Sequence, residues 1–250
     1  FRGSELALPG KLKPIDKFTA HIQLASEIKK ELKHRQRVRV HLGTMEVLGR
    51  VYLAGQKKLS AGSKANVILN LEKFVVAASG DRLVLRTYSP MTTIGGGMVL
   101  TTFISKGAKV GSWVSTLDVD PVQRFGQLVD SVSTQPHTIS EWALLNQCTD
   151  KKVHGWIAKL DLQTTEKDIV ISNKVLNESK KIVVNTLHTF HKKKPLRSSM
   201  GVDILQQESK LGIIWLEEVI TMMKKDGIIK FVESGVALTS HKVELIGGTA

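Results

Sequence analysis

The spacing of apolar side chains divides the chain into two regions with different periodicities. Between Phe18 and Leu100, short alternating or apolar runs are separated by turn residues, which is typical of strands in an antiparallel barrel or sandwich. Glycine-containing turns, such as the one at Gly43, separate these runs. The predicted strands cover residues 18–24, 37–42, 45–53, 65–71, 74–76, 83–86 and 98–102. This region is therefore predicted to be a closed antiparallel β-barrel.

After Thr102 the apolar period changes to about 3.6 residues, and helix start signals appear. Asp120-Pro121 pairs an N-cap with a proline at the first helical position, and Thr138 opens a capping box. Three predicted helices are followed by a hairpin over 163–172, which is the winged-helix order. A similar order returns from Glu178 onwards. The sequence therefore predicts tandem α+β winged-helix modules after the barrel.

Together these patterns predict a multidomain chain. The predicted segments are the tail of a preceding β domain with its linker at 1–14, the barrel at 15–104, a first winged-helix module at 105–175, a second at 176–244, and a C-terminal tail at 245–250. The chain begins with Phe rather than Met, so we expect further sequence upstream.

Charge is concentrated in the predicted barrel region. The 250 residues include 36 Lys and Arg against 23 Asp and Glu, a formal net charge of +13. Residues 1–104 hold 17 of these cations and 7 of the anions, a net charge of +10. A surface of this kind attracts polyanions before any specific contact forms. The alternative is a basic surface that serves only solubility.

Cysteine use and hydropathy limit the cellular compartment. Cys148 is the only cysteine, which excludes an internal disulfide and a disulfide scaffold of the secreted type. No apolar run approaches the roughly 18 residues of a membrane span, and the first residues lack a signal-peptide layout. We therefore expect a cytoplasmic protein with no membrane partner.

The chain carries no recognisable catalytic constellation. Neither the phosphate-binding pattern G-x-x-x-x-G-K-[ST] nor the nucleophile pattern G-x-S-x-G is present. His188 and His191 have metal-ligand spacing, but no cysteine or carboxylate pair completes the set, which favours a packing or capping role. We therefore expect no enzymatic activity, no metal site and no cofactor in this chain.

Three arginines alternate along one predicted strand. Arg35, Arg37 and Arg39 would share one face of an extended strand and form a basic stripe. Aromatic residues make up only 5% of the chain, and no Phe or Tyr ladder interleaves with the basic strands. This argues against a sheet that stacks unpaired bases. Folded, duplex-like RNA or a DNA groove, contacted through phosphates, is the favoured polyanion.

A DNA-binding transcription regulator with tandem winged helices is the alternative function. Such a protein should expose Arg, Lys, Asn or Gln on its third helix. The candidate lysines there are few and are opposed by acidic residues. One compact basic run, Lys192-Lys193-Lys194, is a weak candidate for RNA binding, and its alternative role is a solvated loop.

Several segments resemble translation elongation factors. Residues 1–18 resemble the junction between the second and third domains of the elongation factor Tu class. The segments His41–Val51, Gly80–Arg86 and Thr92–Val99 resemble the third, barrel domain of the bacterial selenocysteine-specific elongation factor family, SelB. From residue 105 the chain is similar to the helical extension of that family, so the resemblance covers nearly the whole chain.

The resemblance implies a GTP-dependent factor that delivers selenocysteinyl-tRNA to the ribosome at a recoded UGA codon, guided by an mRNA hairpin called SECIS. The barrel would hold the tRNA, and the winged helices would link it to a SECIS-binding tip that this chain does not include. GTP and Mg²⁺ belong to a GTPase domain that is also absent. No cofactor is therefore expected here.

The resemblance also adds candidate tRNA-binding residues. In the elongation factor Tu class, a Thr-Val-Gly-x-Gly segment lies against the tRNA T stem, and here it aligns with residues 93–97. Thr93, Gly95 and Gly97 are candidates for this reason, and His41 and Arg86 lie in the other matched segments. Glycine lets backbone N–H groups approach a phosphate closely. The alternative is that these glycines form a tight bend at a barrel corner.

Overall fold

The computed structural model describes residues 14–28, 31–103, 113–233 and 235–241. They fall into two compact units. The first contains the described residues up to Gln127 together with Ile139–Trp156, and the second contains Leu128–Thr138 together with the described residues from Ile157 onwards. The domain limits expected from the sequence stay predictions. None of the helices in the described ranges has both the length and the apolar composition needed to cross a membrane.

The first unit is built on β-strands. In chain order the described strands are β1 (Ile15–Leu24), β2 (Leu32–Lys33), β3 (Gln36–Leu42), β4 (Met45–Leu53), β5 (Lys58–Leu59), β6 (Lys64–Val75), β7 (Arg82–Thr87) and β8 (Thr93–Thr101). Six of them form a closed antiparallel barrel in the order β1-β6-β4-β3-β7-β8, while β2 pairs with β5. The predicted barrel is confirmed.

The barrel interior is filled by alternate residues of each strand. In β3, for example, Val38, Val40 and Leu42 are buried while the residues between them are half exposed. This period-2 pattern follows from the opposite orientation of successive side chains in a strand. The alternation therefore places the intervening polar residues of β3 on the outer wall.

Two predicted strand limits are wrong. The separate strands predicted at 65–71 and 74–76 are one continuous strand, β6, whose register against β1 shifts between Ile15 and Lys17. The irregularity accommodates polar Glu72 and Lys73 without ending the strand. The last strand begins at Thr93 rather than residue 98, because Gly95–Gly97 lie within β8 rather than in a turn.

Four helices follow in the middle of the chain: α1 (Trp113–Thr116), α2 (Pro121–Asp130), α3 (Ile139–Leu145) and α4 (Asp150–Lys159). The predicted N-cap of α2 is confirmed, since Asp120 Oδ1 accepts hydrogen bonds from the backbone N–H groups of Val122 and Gln123, both at 2.9 Å. Helix α1 is tied to the barrel because Asn66 Nδ2 donates to the carbonyl oxygens of Val114 and Leu117 at 3.0 and 2.7 Å.

The second unit combines helices with a small sheet. Its described elements include the hairpin strands β9 (Gln163–Thr164) and β10 (Val170–Ile171), helices α5 (Asn173–Lys193), α6 (Val202–Ser209) and α7 (Ile213–Lys225), and strands β11 (Met200–Gly201), β12 (Ile229–Val232) and β13 (Gly235–Leu238). The last three strands form an antiparallel sheet in the order β11-β13-β12. Helices α5, α6 and α7 followed by the hairpin β12–β13 have the element order predicted for the second module.

A buried hydrogen-bond chain lies in the core of the second unit. Trp215 of α7 is 2% exposed, and its indole N–H donates to Ser179 Oγ of α5 at 2.9 Å. Ser179 Oγ in turn donates to the carbonyl oxygen of Ser133 at 3.0 Å. Buried polar groups are costly unless paired, so this chain fixes α5 and α7 in one arrangement.

Candidate nucleic-acid interface

Five arginines lie together on the outer wall of the barrel. Arg37 and Arg39 of β3 point outwards because they alternate with buried valines. Antiparallel pairing places Arg50 of β4 opposite Arg37, and Arg86 of β7 opposite Arg39. Arg35 precedes β3. We call Arg35, Arg37, Arg39, Arg50 and Arg86 the arginine face.

Arg35 does not share the strand face with Arg37 and Arg39, so this part of the stripe prediction is wrong. Arg35 has a φ of 64°, the left-handed region, and belongs to the turn before β3. Its N–H donates to the carbonyl oxygen of Val51 at 2.7 Å, and its own carbonyl oxygen accepts from Arg50 Nη1 at 3.1 Å. The left-handed turn breaks the alternation but leaves Arg35 beside Arg50.

Two of the arginines are paired with carboxylates. Arg37 makes a bidentate pair with Glu72, with both N–O distances at 2.7 Å, and Arg39 pairs with Glu46. Hydrogen bonds from these arginines hold the pKa of both glutamates below the usual carboxyl range. Five arginines against two glutamates leave the arginine face with a net charge of +3. The pairs orient two guanidinium groups without neutralising the wall.

The other three arginines make no ion pair with a described residue. Among them, Arg86 is exceptional because its Nε is buried and has no hydrogen-bond partner among the described residues. An unpaired buried donor costs about 1–3 kcal/mol, so such groups usually mark a place where a ligand or water completes the bonding. Arg86 therefore keeps unused hydrogen-bonding capacity at this wall.

Thr93 and His41 lie at the border of the arginine face. The register of β7 and β8 places exposed Thr93 opposite Arg86. His41 is the next outward-facing residue after Arg39 along β3, and its Nε2 lies 4.0 Å from Glu46 Oε2. The structure thus brings together six of the predicted site residues: Arg35, Arg37, Arg39, His41, Arg86 and Thr93.

Gly95 and Gly97 have a packing requirement of their own. A Cβ atom on Gly97 would overlap the carbonyl oxygen of His21 in β1, and one on Gly95 would overlap that of Gln23. Only glycine lets β8 lie this close to its neighbour, which supports a structural reason for the glycine run at the barrel seam. A contact between their backbone and RNA stays a prediction.

Two tyrosines contact arginines of the arginine face, a feature that was not predicted from the sequence. Tyr88 lies under the guanidinium groups of Arg37 and Arg39, 4.7 and 5.5 Å from its ring centroid. The guanidinium of Arg35 lies 5.6 Å from the Tyr52 ring centroid, and a side-chain hydrogen bond with Arg35 is the main cause of a lowered Tyr52 pKa. Each tyrosine follows an arginine by two residues along its chain segment, a pattern visible in the sequence.

The basic run Lys192-Lys193-Lys194 lies in the second unit. Lys192 and Lys193 end helix α5, and all three side chains are exposed. Lys194 lies 5.5 Å from the ring centroid of Phe190. None of the three forms a salt bridge with a described residue.

The two histidines with metal-ligand spacing do not meet on a metal-binding face. In the described ranges, no group of three or more His, Cys, Asp or Glu residues is arranged to hold a metal ion. Instead, buried His191 stacks on His241, with ring centroids 3.7 Å apart and planes at 18°. Burial, followed by the neighbouring His241, His188 and Lys230, lowers the His191 pKa.

The His191 stack predicts acid sensitivity of the second unit. The unfolded imidazole titrates near 6.5 and the folded one lower, so below about pH 6.5 the unfolded state binds more protons and stability falls. Above about pH 6.5 the contribution of His191 to the free energy of unfolding is fully present. We expect His191→Phe, which keeps a stacking ring, to flatten the decline in unfolding midpoint between pH 7 and pH 5.

Hydrogen exchange of α5 amides at a series of pH values measures this effect. His188→Phe, on the exposed side of the same helix, is the matched control; it removes only one of the smaller causes of the lowered His191 pKa, so it should retain most of the wild-type pH dependence. An identical decline in the wild type and in His191→Phe would contradict the prediction.

Comparison with known proteins adds three findings. Residues 19–106 match the family model of the selenocysteine-specific elongation factor β-barrel domain. A selenocysteine-specific elongation factor from Desulfomicrobium baculatum is 30% identical over 99 residues, which cover 40% of this chain and 16% of that protein. The crystal structure of a bacterial selenocysteine-specific elongation factor, EF-Sec, superposes with a TM-score of 0.67 over 92% of this chain and 35% of its own, at 13% identity.

These findings differ in what they establish. The structural likeness, at 13% identity, shows that the fold is shared across most of the chain. The family-model match is confined to residues 19–106, and this chain spans only 16% and 35% of the lengths of the two relatives. Residues 19–106 are therefore similar to the β-barrel domain of the selenocysteine-specific elongation factor family.

Proposed function

We propose that the barrel holds selenocysteinyl-tRNA by its sugar-phosphate backbone and that the arginine face is the contact surface. The proposal is based mainly on one observation: three arginines of this face, Arg35, Arg50 and Arg86, form no ion pair with a described carboxylate. The family of the barrel supports the choice of tRNA, since a selenocysteine-specific elongation factor acts in translation with a tRNA and the ribosome.

The spacing of the cations supports a polyanion rather than a small anion. Arg39 and Arg86 lie on neighbouring strands, which are about 4.8 Å apart, and Arg37 precedes Arg39 by two residues, about 6.6 Å along the strand. A single phosphate cannot contact all of them, whereas successive phosphates of a nucleic acid can. Tyr88 and the two glutamates hold the guanidinium groups in place, which reduces the entropy lost on binding.

The proposal predicts both the salt dependence and the location of tRNA binding. If about three phosphates are neutralised, the affinity of the chain for tRNA should fall roughly 20- to 40-fold between about 50 and 200 mM salt. Reversing charge in the double variant Arg35→Glu/Arg86→Glu should weaken binding at least tenfold and reduce the salt slope. Filter binding of the full 250-residue chain measures both.

Arg82→Glu is the matched control. Arg82 is exposed on β7, the strand of Arg86, but lies four residues away from it and outside the arginine face. The control should bind tRNA within about threefold of the wild type. Equal losses in Arg82→Glu and in the double variant would show that only net charge matters, and a salt-insensitive affinity would contradict the proposal outright.

The remaining parts of the proposal concern the helical half and the parent protein. The helices and sheets from residue 113 onwards would connect a tRNA-bound barrel to a SECIS-binding tip and so support insertion of selenocysteine at UGA. We assign no catalytic step, GTP site or Mg²⁺ site to this chain, and place its action in the cytoplasm with the ribosome. Pull-down of a SECIS hairpin by this chain alone would contradict the linking role.

A further inference from the structure

Two carboxylates are part of the basic surface formed by the arginine face. Glu72 of β6 accepts two hydrogen bonds from Arg37, both at 2.7 Å, and Glu46 of β4 pairs with Arg39. Both acids are well exposed, with 41% of the Glu72 side chain and 42% of the Glu46 side chain accessible. Ion pairs this exposed contribute little to folding stability. Stability alone therefore does not account for two acids placed inside a basic surface.

Glu72 acts on two arginines of neighbouring strands. Its hydrogen bond to Arg37 is the main cause of its lowered pKa, and the charge of Arg50, which lies opposite Arg37 on β4, adds to the effect. The pair with Arg37 uses Nε and Nη2, an edge of the guanidinium group that also binds a phosphate through two parallel hydrogen bonds. A phosphate can take this edge only by displacing Glu72.

Glu46 has the same relation to the next two arginines. Its hydrogen bond to Arg39 is the main cause of its lowered pKa, and the charges of His41 and Arg86 add to the effect. Arg86 lies opposite Arg39 on β7. The two acids therefore repeat one arrangement, because each occupies one arginine and repels an anion that approaches the neighbouring, unpaired arginine from the same side.

The arginines left open determine which ligand gains most from the arginine face. Arg35, Arg50 and Arg86 form no ion pair with a described carboxylate. A ligand with phosphates fixed at these three positions meets their full positive charge. A chain of anionic groups that follows the whole wall also meets Glu46 and Glu72. Like charges brought together in this way lower the affinity for a wrong partner more than the affinity for the right one.

We propose that Glu46 and Glu72 are specificity determinants of the arginine face, which lower its affinity for polyanions in general more than its affinity for tRNA. The inference rests on the proposed tRNA-binding function and adds a selection against other polyanions. The same two acids still hold Arg37 and Arg39 in place for the ligand that is accepted. Without them, five arginines would attract nucleic acids and sulfated polysaccharides by charge alone.

The test compares tRNA with two other polyanions after the two negative charges are removed. Glutamine has the shape of glutamate and keeps one acceptor oxygen but carries no charge. The double variant Glu46→Gln/Glu72→Gln therefore opens Arg37 and Arg39 to other anions and leaves the packing in place. Fluorescence anisotropy at several salt concentrations would measure binding of the full chain to a labelled selenocysteine tRNA transcript, a DNA duplex and heparin.

The expected result is a loss of selectivity. The double variant should bind the DNA duplex and heparin at least about tenfold more tightly than the wild type does, and tRNA no more than about threefold more tightly. The salt slope for the DNA duplex should steepen by up to about two, since each opened arginine adds roughly 0.9. Equal gains for all three ligands, unchanged binding of DNA and heparin, or weaker binding of all three would each overturn the proposal.

Two further variants test whether the position and the charge of these acids matter. Glu27→Gln/Glu31→Gln removes the same net charge from exposed positions of the barrel unit and frees Lys58, which pairs with Glu31 at 2.9 Å outside the arginine face. Glu46→Asp/Glu72→Asp keeps both charges in place. Both variants should keep the wild-type preference for tRNA within about twofold. A loss of preference in either one, equal to that of the glutamine variant, would contradict the assignment.

Failure of this inference can be told apart from failure of the proposed function. If Arg35→Glu/Arg86→Glu binds tRNA as the wild type does, the arginine face is not the tRNA surface and both proposals fall. If that variant loses tRNA binding while the glutamine variant keeps the wild-type preference, only the specificity role falls. Hydrogen exchange of β3 and β4 amides shows that the barrel of each variant is folded.

Discussion

Gly97→Ala is expected to destabilise the barrel by more than about 3 kcal/mol. The added Cβ would overlap the carbonyl oxygen of His21 and crowd Ile22 Cα at 2.8 Å, and both are backbone neighbours on β1. Backbone in a paired strand cannot move aside as a flexible side chain does, so β1 and β8 must separate. Loss of this pairing would open the barrel.

The measurement must report on the barrel itself. All four tryptophans lie outside its strands, and although Trp113 packs against a cluster that includes Ile68 of β6, total tryptophan fluorescence mixes its signal with those of Trp142, Trp156 and Trp215. Hydrogen exchange of β1 and β8 amides reports on barrel opening directly. Because the chain has two compact units, a single unfolding midpoint would not resolve the effect.

Gly155→Ala is the matched control for this prediction. Gly155 lies within α4, and a Cβ there would meet no atom within 4 Å. Alanine should therefore stabilise that helix by about 0.5–1 kcal/mol. If Gly97→Ala were tolerated as well as Gly155→Ala while tRNA binding fell, the glycine run would act on RNA rather than on barrel closure.

Trp215→Ala should cost the second unit about 3–5 kcal/mol. The indole ring is fully enclosed between α5 and α7, and its removal leaves a large cavity. The substitution also deletes the hydrogen bond to Ser179 Oγ, although Ser179 keeps its own bond to the carbonyl oxygen of Ser133. Urea unfolding followed by hydrogen exchange of α5 and α7 amides measures the loss.

Two variants separate the contributions at this position. Trp215→Phe fills most of the volume and removes the N–H donor, so it should cost less than the alanine variant. Ile214→Ala, at the exposed neighbouring position, should stay within about 1 kcal/mol of the wild type. An equal loss in Ile214→Ala and Trp215→Ala would show that α7 is sensitive to helix propensity rather than to core packing.

Much of the barrel could be predicted because its strands alternate cleanly. Strand β4 has the predicted limits, Met45–Leu53, since each of its inward positions is apolar or glycine. Strand β8 could not be predicted because Gly95–Gly97 carry the composition of a turn. Only the close approach of His21 and Gln23, which are distant in sequence, shows why glycine is needed inside a strand.

The candidate site was harder to predict from the sequence than the barrel. Alternation correctly placed Arg37 and Arg39 on one face, but it failed at Arg35 because a left-handed residue begins the strand there. Arg50 was missed because its position depends on the register between β3 and β4. The carboxylate partner Glu72 lies 35 residues from Arg37, so no local pattern could reveal that pair.

The seam between β1 and β8 also limits when the barrel can form during synthesis. The Thr19 hydroxyl donates a hydrogen bond to the carbonyl oxygen of Thr101, 82 positions later. Strand β8 must therefore leave the ribosome before β1, which also pairs with β6, can pair with it. Until then the nascent sheet has two open edges that can pair with other chains. A slow, late closure is the expected consequence, because long-range pairing delays folding.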